Sequence, residues 1–93
     1  MGYERTENEL NVTLERDMTV LTGRHIERLA QDVDRVRIDC SAANLIDSEG
    51  VIVLYRLVRD GKTVTLRNPP EIFFEVLDIL DLDTFFDLDA MVE

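Results

Sequence analysis

One short segment of the chain places a hydroxyl where it could do chemistry. Asp47-Ser48-Glu49-Gly50 stands directly before a run of apolar residues that predicts a buried helix. An aspartate or serine at that point commonly caps the helix, because its side-chain oxygen accepts a hydrogen bond from a free backbone N–H group, worth about 1 kcal/mol. The residues alone therefore favour a helix cap over a chemical role for the Ser48 hydroxyl.

The single histidine and the single cysteine offer no catalytic set. Nucleophilic catalysis needs a base held beside the nucleophile, and we expect His25, among polar neighbours, to lie on the surface. Cys40 ends a predicted strand and is expected to be a small buried hydrophobe rather than a redox group. One histidine and one cysteine make neither a zinc site nor an internal disulfide, and isolated glycines make no phosphate loop. We expect a binding protein without catalytic residues, metal or cofactor, not an enzyme.

The charge of the chain narrows the choice of partner. Ten Lys and Arg against twenty Asp and Glu give a net charge of −10, which argues against nucleic acid or anionic lipid, since both require a basic surface. Residues 71–93 contain no base, and their acids are Glu71, Glu75, Asp78, Asp81, Asp83, Asp87, Asp89 and Glu93. This segment is interpreted first as a solvated face and, as the alternative, as a docking surface for a basic partner.

The length of 93 residues predicts one domain, residues 1–93, because two halves would be too small for stable cores. The longest apolar run, residues 51–55, is far shorter than the roughly 20 residues of a membrane span. The first residues show no apolar stretch typical of a secretory signal. We expect a cytosolic protein that is not inserted in a membrane, folds without metal and is a monomer when free.

Hydrophobic periodicity predicts an α/β fold. Alternating residues indicate strands over 8–15, 18–22, 35–40 and 63–66, and we expect Gly23 to break the second of them. Helical spacing predicts helices over 24–33, 48–59 and 71–80, followed by an apolar tail over 82–91 that could cover the sheet. The order β-β-α-β-α-β-α predicts a mixed sheet of four to five strands with helices packed against it.

The second predicted helix has an apolar face that continues toward its polar side. At 100° per residue, Val51, Leu54 and Val58 share the face expected to enter the core. Ile52 and Val53 fall on the two flanks of the polar side, where they are either buried at the edge of the core or exposed beside Ser48. If exposed, they would form the apolar centre of a small interface ringed by charges.

Over about residues 10–88, the sequence resembles the STAS domain of bacterial anti-sigma factor antagonists. In that family a strand leads to an aspartate–serine segment, a helix, a glycine turn, a further strand and a proline-led last helix. The segments that match are Ile38-Asp39-Cys40-Ser41, Leu45-Ile46-Asp47-Ser48-Glu49-Gly50-Val51, Asp60-Gly61-Lys62-Thr63-Val64-Thr65-Leu66, Asn68-Pro69-Pro70 and Leu82-Asp83-Thr84-Phe85-Phe86.

The resemblance implies a small STAS-like fold and a switch at Ser48 that regulates transcription. In the family, a partner serine kinase of the ATP-binding, histidine-kinase-like class, which is also an anti-sigma factor, phosphorylates this serine. A PP2C-type phosphatase resets it. A phosphate adds about −1.5 to −2 charges, and the free N–H groups of a helix start can hold it. The resemblance and the helix face together predict a partner-binding set of Asp47, Ser48, Glu49, Gly50, Ile52, Val53 and Arg56.

One departure from the family keeps other functions open. Glu49 stands where the family has a second serine or a similar small residue, so its carboxylate could repel a phosphate on Ser48 or partly mimic one. Stand-alone STAS domains also occur as accessory subunits on the ATPase of lipid-transport ABC transporters, usually without a working phosphoserine. Related domains also serve as scaffold subunits in large signalling assemblies. Both remain alternatives to the phosphorylation switch.

Overall fold

Short strands and amphipathic helices alternate along residues 1–93, all of which the computed structural model describes. The elements are β1 (Gly2–Arg5), β2 (Glu9–Thr13), α1 (Val20–Leu29), β3 (Arg35–Asp39), α2 (Ser48–Arg59), β4 (Thr63–Arg67), α3 (Glu71–Ile79) and α4 (Leu88–Met91). This order confirms the α/β, STAS-like fold that the sequence predicts, with one further short helix at the end.

The strands form one mixed sheet in the order β1-β2-β3-β4. β1 is antiparallel to β2, whereas β2, β3 and β4 are parallel to one another. In this register Val12 lies beside Ile38, and Ile38 lies beside Leu66. These side chains are all buried, so the alternation of apolar and polar residues along each strand gives the sheet one face that enters the core.

The helices bury that face, and α2 lies between α1 and α3. α1 and α2 approach closely because Gly23 has no side chain: a Cβ there would lie 2.8 Å from Cγ2 of Val53. The buried residues are apolar, with no charged side chain among them. The core therefore holds α2 from two sides, which fixes the position of its first turn.

The prediction of a second strand over residues 18–22 is wrong. Met18 is the one residue of this segment that pairs with another strand-like residue, in an isolated bridge to Ile46. α1 already begins at Val20, with Thr19 as its N-cap residue. Gly23 lies inside this helix and does not end a strand. The residue is glycine because the contact with Val53 leaves no room for a side chain.

The strand that pairs with β2 at the edge of the sheet is instead β1, which the sequence pattern does not predict. Its residues are mostly exposed, so it carries little of the apolar alternation by which strands are recognised.

The chain after α3 covers the core partly as predicted. Phe86 and Met91 are buried, and Val92 forms an isolated parallel bridge with Leu66 of β4. Phe85, by contrast, remains 42% exposed. None of the helices is long and apolar enough to cross a membrane.

Candidate partner-binding site at the start of helix α2

The loop before α2 is tied to the loop before α1. One carboxylate oxygen of Asp17 accepts hydrogen bonds from the backbone N–H groups of Asn44 (2.8 Å) and Leu45 (3.0 Å). The N–H of Met18 donates to the carbonyl of Leu45 at 3.0 Å, and the N–H of Asp47 donates to the carbonyl of Met18 at 3.2 Å. These four bonds hold the approach to α2 in one position.

Asp47 and Gly50 build the first turn of α2. The carboxylate of Asp47 accepts a hydrogen bond from the N–H of Gly50 at 2.8 Å, so Asp47 is the N-cap residue. Gly50 is needed for close packing, since a Cβ at this position would lie 3.1 Å from the carbonyl oxygen of Met18 and 3.1 Å from Cγ2 of Ile46. Two of the four motif residues are therefore structural.

Ser48 and Glu49, the other two residues of the motif, are exposed. The Ser48 side chain forms no hydrogen bond within the protein, and the helix is capped by Asp47 instead. The backbone N–H groups of Ser48 and Glu49 belong to the first turn, where no preceding helical carbonyl is present to accept from them. An exposed hydroxyl thus stands beside two free donors and at the positive end of the helix dipole.

The remaining residues predicted to bind the partner divide into different environments. Val53 is 1% exposed, so the expectation that it could face solvent is wrong: it packs against Gly23 of α1. Ile52 is half-buried and Gly50 is buried, and only Ile52 therefore offers apolar surface beside Ser48. The sequence placed the buried stripe of α2 too narrowly, because α2 packs against two helices as well as the sheet.

Arg56 joins two helices. Its guanidinium donates to both carboxylate oxygens of Glu27 on α1, with Nε at 2.7 Å and one Nη at 3.0 Å. The hydrogen bonds that Arg56 donates to Glu27 raise the pKa of Arg56 above its usual range. Arg56 is accordingly a positioning residue between α1 and α2, even though part of it remains at the surface.

An aromatic pair extends the outer face of α2 and was not predicted from sequence. The Tyr55 ring lies 4.7 Å from the Phe85 ring, and the Arg59 guanidinium stands 5.8 Å from the centre of the Tyr55 ring. Ser48, Ile52, Tyr55 and Arg59 are spaced as one helical stripe. The only sequence signal was the position of Tyr55 at the border of the apolar face.

A hydrogen-bonded group anchors the carboxyl end of β3. The Asp39 carboxylate accepts from the hydroxyl of Ser41 at 2.6 Å and from its N–H at 3.0 Å, and Asn68 donates to the same hydroxyl at 3.0 Å. The bonds from Ser41, followed by the charge of Arg67, lower the pKa of Asp39 below 3.8. This group orders the chain at the ends of β3 and β4.

The two other residues that could have done chemistry lie where the sequence predicts. His25 is exposed and meets the Tyr3 ring edge-on, with 6.1 Å between the ring centres. Cys40 is buried, and burial, with a smaller effect of the nearby Asp39, raises the pKa of its thiol to about 12. A thiol with this pKa is protonated at neutral pH and therefore a poor nucleophile.

The fold and the start of α2 together define a small α/β domain with one helix end exposed to solvent. The family model described as "Mlab, STAS domain" matches residues 1–93. The chain belongs to the STAS domain family, which confirms the resemblance seen in its motifs. STAS domains are protein-interaction modules of the anti-sigma factor antagonist superfamily and generally bind partner proteins. None of the curated proteins compared with the chain matches it.

Proposed function

We propose that this STAS domain binds its partner through the start of α2 and that phosphorylation of Ser48 weakens the binding. The observation that carries this proposal is the division of roles within the motif. Asp47 caps the helix and Gly50 packs against Met18, whereas the Ser48 hydroxyl is exposed and forms no bond. Ser48 can therefore gain a phosphate without loss of any contact that holds the helix.

The electrostatics of the helix start support the same conclusion. A phosphate of about −1.5 to −2 charges would be stabilised by the free N–H groups of Ser48 and Glu49. In a packed interface the same charge would have to lose its water, a cost of several kcal/mol unless the partner supplies compensating groups. A partner surface shaped for the neutral hydroxyl would therefore release the phosphorylated domain.

The proposed partners are those of anti-sigma factor antagonists. A serine kinase of the ATP-binding, histidine-kinase-like class, acting also as an anti-sigma factor, would bind and phosphorylate the domain, and a PP2C-type phosphatase would restore Ser48. The STAS domain itself would act by binding in the cytoplasm and would catalyse no reaction. The energy of the switch would come from the ATP used by the kinase.

The chain supplies its own control for a phosphorylation test, since Ser41 and Ser48 are its only serines. The Ser41 hydroxyl is held by Asp39, whereas that of Ser48 is free. We expect a serine kinase encoded beside this protein, with ATP, to add one phosphate to wild type and to Ser41→Ala but none to Ser48→Ala, as measured by mass spectrometry. Phosphate on Ser48→Ala would contradict the proposal.

Partner binding provides the second measurement. Ser48→Asp should weaken the affinity by about 100-fold, or roughly 3 kcal/mol, whereas Ser48→Ala should bind like the unphosphorylated wild type. Glu49→Ser should tighten binding and speed phosphorylation of Ser48, because it removes a charge beside the reacting hydroxyl. Unchanged rates for Glu49→Ser would show that the Glu49 carboxylate does not influence the switch.

Glu49 also favours a second candidate function. A permanent carboxylate beside Ser48, in place of the second small residue of the motif, suits a STAS domain that docks without being phosphorylated. The candidate is an accessory subunit on the ATPase of a lipid-transport ABC transporter, with a scaffold subunit of a signalling assembly as the related alternative. Stable binding of a neighbouring ABC ATPase, with no phosphate on Ser48, would favour this function over the switch.

A further inference from the structure

The exposed side of helix α1 carries positive charge and an apolar residue. Its four exposed side chains are Leu21, Arg24, His25 and Arg28, which follow the i, i+3, i+4, i+7 spacing of one helix side. None of them is acidic, and Leu21 is 74% exposed. These four residues are called the α1 face.

The exposed side of helix α3 has the opposite charge. Its exposed residues are Glu71, Phe74, Glu75, Asp78 and Ile79, called the α3 face, and none of them is basic. Ile79 is 80% exposed and Phe74 is 38% exposed. The two faces together hold three of the five exposed large hydrophobic residues of the chain, including the two most exposed. Each face therefore places apolar surface beside its charged side chains.

The charges of the two faces are free to pair with another molecule. Arg24 and Arg28 form no ion pair within the chain, and neither do Glu75 and Asp78. The ion pairs of the structure are Met1–Glu15, Arg5–Asp32, Arg37–Glu93, Arg56–Glu27 and Arg59–Asp60. Because α2 lies between α1 and α3, the two faces stand on different flanks of the helix layer. Complementary faces on separate flanks can meet only between two copies.

We propose that the α1 face of one copy binds the α3 face of a second copy. Leu21 would pack against Phe74 and Ile79, while Arg24 and Arg28 would pair with Glu75 and Asp78. The two faces of such a contact differ, so each copy keeps one free face and the association continues into short chains or a ring. The contact uses no part of the Ser48 site and does not depend on its proposed role.

The size of the contact predicts weak binding. α1 has 10 residues and α3 has 9, so each helix is only about 15 Å long. Two such helices bury less area than the roughly 1,200 to 2,000 Å² of a stable interface, and the net charge of −10 on each copy opposes association. We expect a dissociation constant on the order of 100 μM, so that the protein is a monomer at low micromolar concentration.

Charge reversal on each face tests the proposal by sedimentation in about 150 mM salt, where the Debye length is about 8 Å. One variant carries Arg24→Glu with Arg28→Glu, and the other carries Glu75→Arg with Asp78→Arg. Matched controls make the same charge changes at exposed, unpaired positions outside both faces, namely Arg16→Glu with Arg35→Glu, and Glu4→Arg with Glu7→Arg. Circular dichroism verifies that every variant is folded.

Mixing the two variants is the decisive step. We expect the mass of wild type and of both controls to rise between about 10 μM and 1 mM, and each reversed variant to associate at least tenfold more weakly. In an equimolar mixture of the reversed variants, the two intact faces carry opposite charges and so do the two reversed faces, so the mixture should associate again and reach masses close to those of wild type. Monomeric wild type at 1 mM, a reversed variant that dimerises alone as strongly as wild type, or a mixture that stays monomeric would each overturn the proposal.

Discussion

Asp47 and Ser48 are neighbours with different roles, and alanine at each position separates those roles. Asp47→Ala removes the acceptor that lies 2.8 Å from the N–H of Gly50 and leaves that donor without its partner. Loss of an N-cap acceptor costs about 0.5 to 2 kcal/mol, and loss of a carboxylate at the positive end of the helix adds a part of the 0.3 to 1 kcal/mol of the dipole interaction. We expect Asp47→Ala to lower the free energy of unfolding by about 1 to 2 kcal/mol.

In a domain of this size, a loss of about 1 to 2 kcal/mol gives a measurable shift in melting temperature. Each 1 kcal/mol changes the Tm of a domain of 60–100 residues by roughly 4 to 8 °C, so Asp47→Ala should melt about 4 to 16 °C below wild type. Ser48→Ala removes an exposed hydroxyl without a hydrogen bond, and its free energy of unfolding should stay within about 0.5 kcal/mol of wild type.

Urea unfolding followed by circular dichroism measures both variants. Asp47→Asn is the matched control, because asparagine keeps an oxygen acceptor at the N-cap position and should recover most of the lost stability. Equal losses for Asp47→Ala and Ser48→Ala would refute the reasoning. In that case Ser48 would share the cap, and a phosphate on Ser48 could not be added without disturbing the start of α2.

Three further predictions test the core and the anchoring of the site. Leu54→Ala should destabilise the fold by about 2 to 5 kcal/mol in urea unfolding, whereas Ile52→Ala should cost much less stability and weaken partner binding. Gly23→Ala should destabilise despite a helix-propensity gain of about 1 kcal/mol, because its Cβ would lie 2.8 Å from Val53, and Val53→Ala in the same chain should relieve part of the loss in a double-mutant cycle. The lowered pKa of Asp39 means that its hydrogen bonds stabilise the fold above about pH 4, the unfolded value, and that this contribution is lost as pH falls through the folded value. The stability difference between wild type and Asp39→Asn, measured by urea unfolding against pH, should therefore shrink below about pH 4.

Local signals predicted the site better than they predicted its surroundings. The sequence located α2 correctly over residues 48–59, because an aspartate precedes its first turn and a glycine follows its last. Gly61 adopts a φ of +90°, a conformation that suits glycine at the end of a helix. These features depend on residues close together in the chain, so they can be predicted from the sequence alone.

Apart from the missed strand β1, the errors concern contacts between residues far apart in the chain. Gly23 resembles a strand breaker until Val53 is known to pack against it, and Val53 resembles a surface residue until α1 is known to cover it. The pairing of Tyr55 with Phe85 likewise joins residues 30 positions apart. Periodicity reports how one helix divides between polar and apolar sides, but the width of the buried side depends on how many neighbours that helix has.

The strong negative charge of the domain limits how a phosphate on Ser48 could act. Two further charges on a protein of net charge −10 change its long-range field only modestly, and salt at about 0.15 M screens exposed charges beyond about 8 Å. A phosphate could therefore control binding only if the partner contacts the start of α2 directly. The hydrogen bonds that Asp17 accepts, together with those that Met18 donates and accepts, hold that start in place. The partner would therefore meet the same surface with Ser48 either unmodified or phosphorylated. The switch would then lie in the solvation of that single group, and the fold of the domain would be the same in both states.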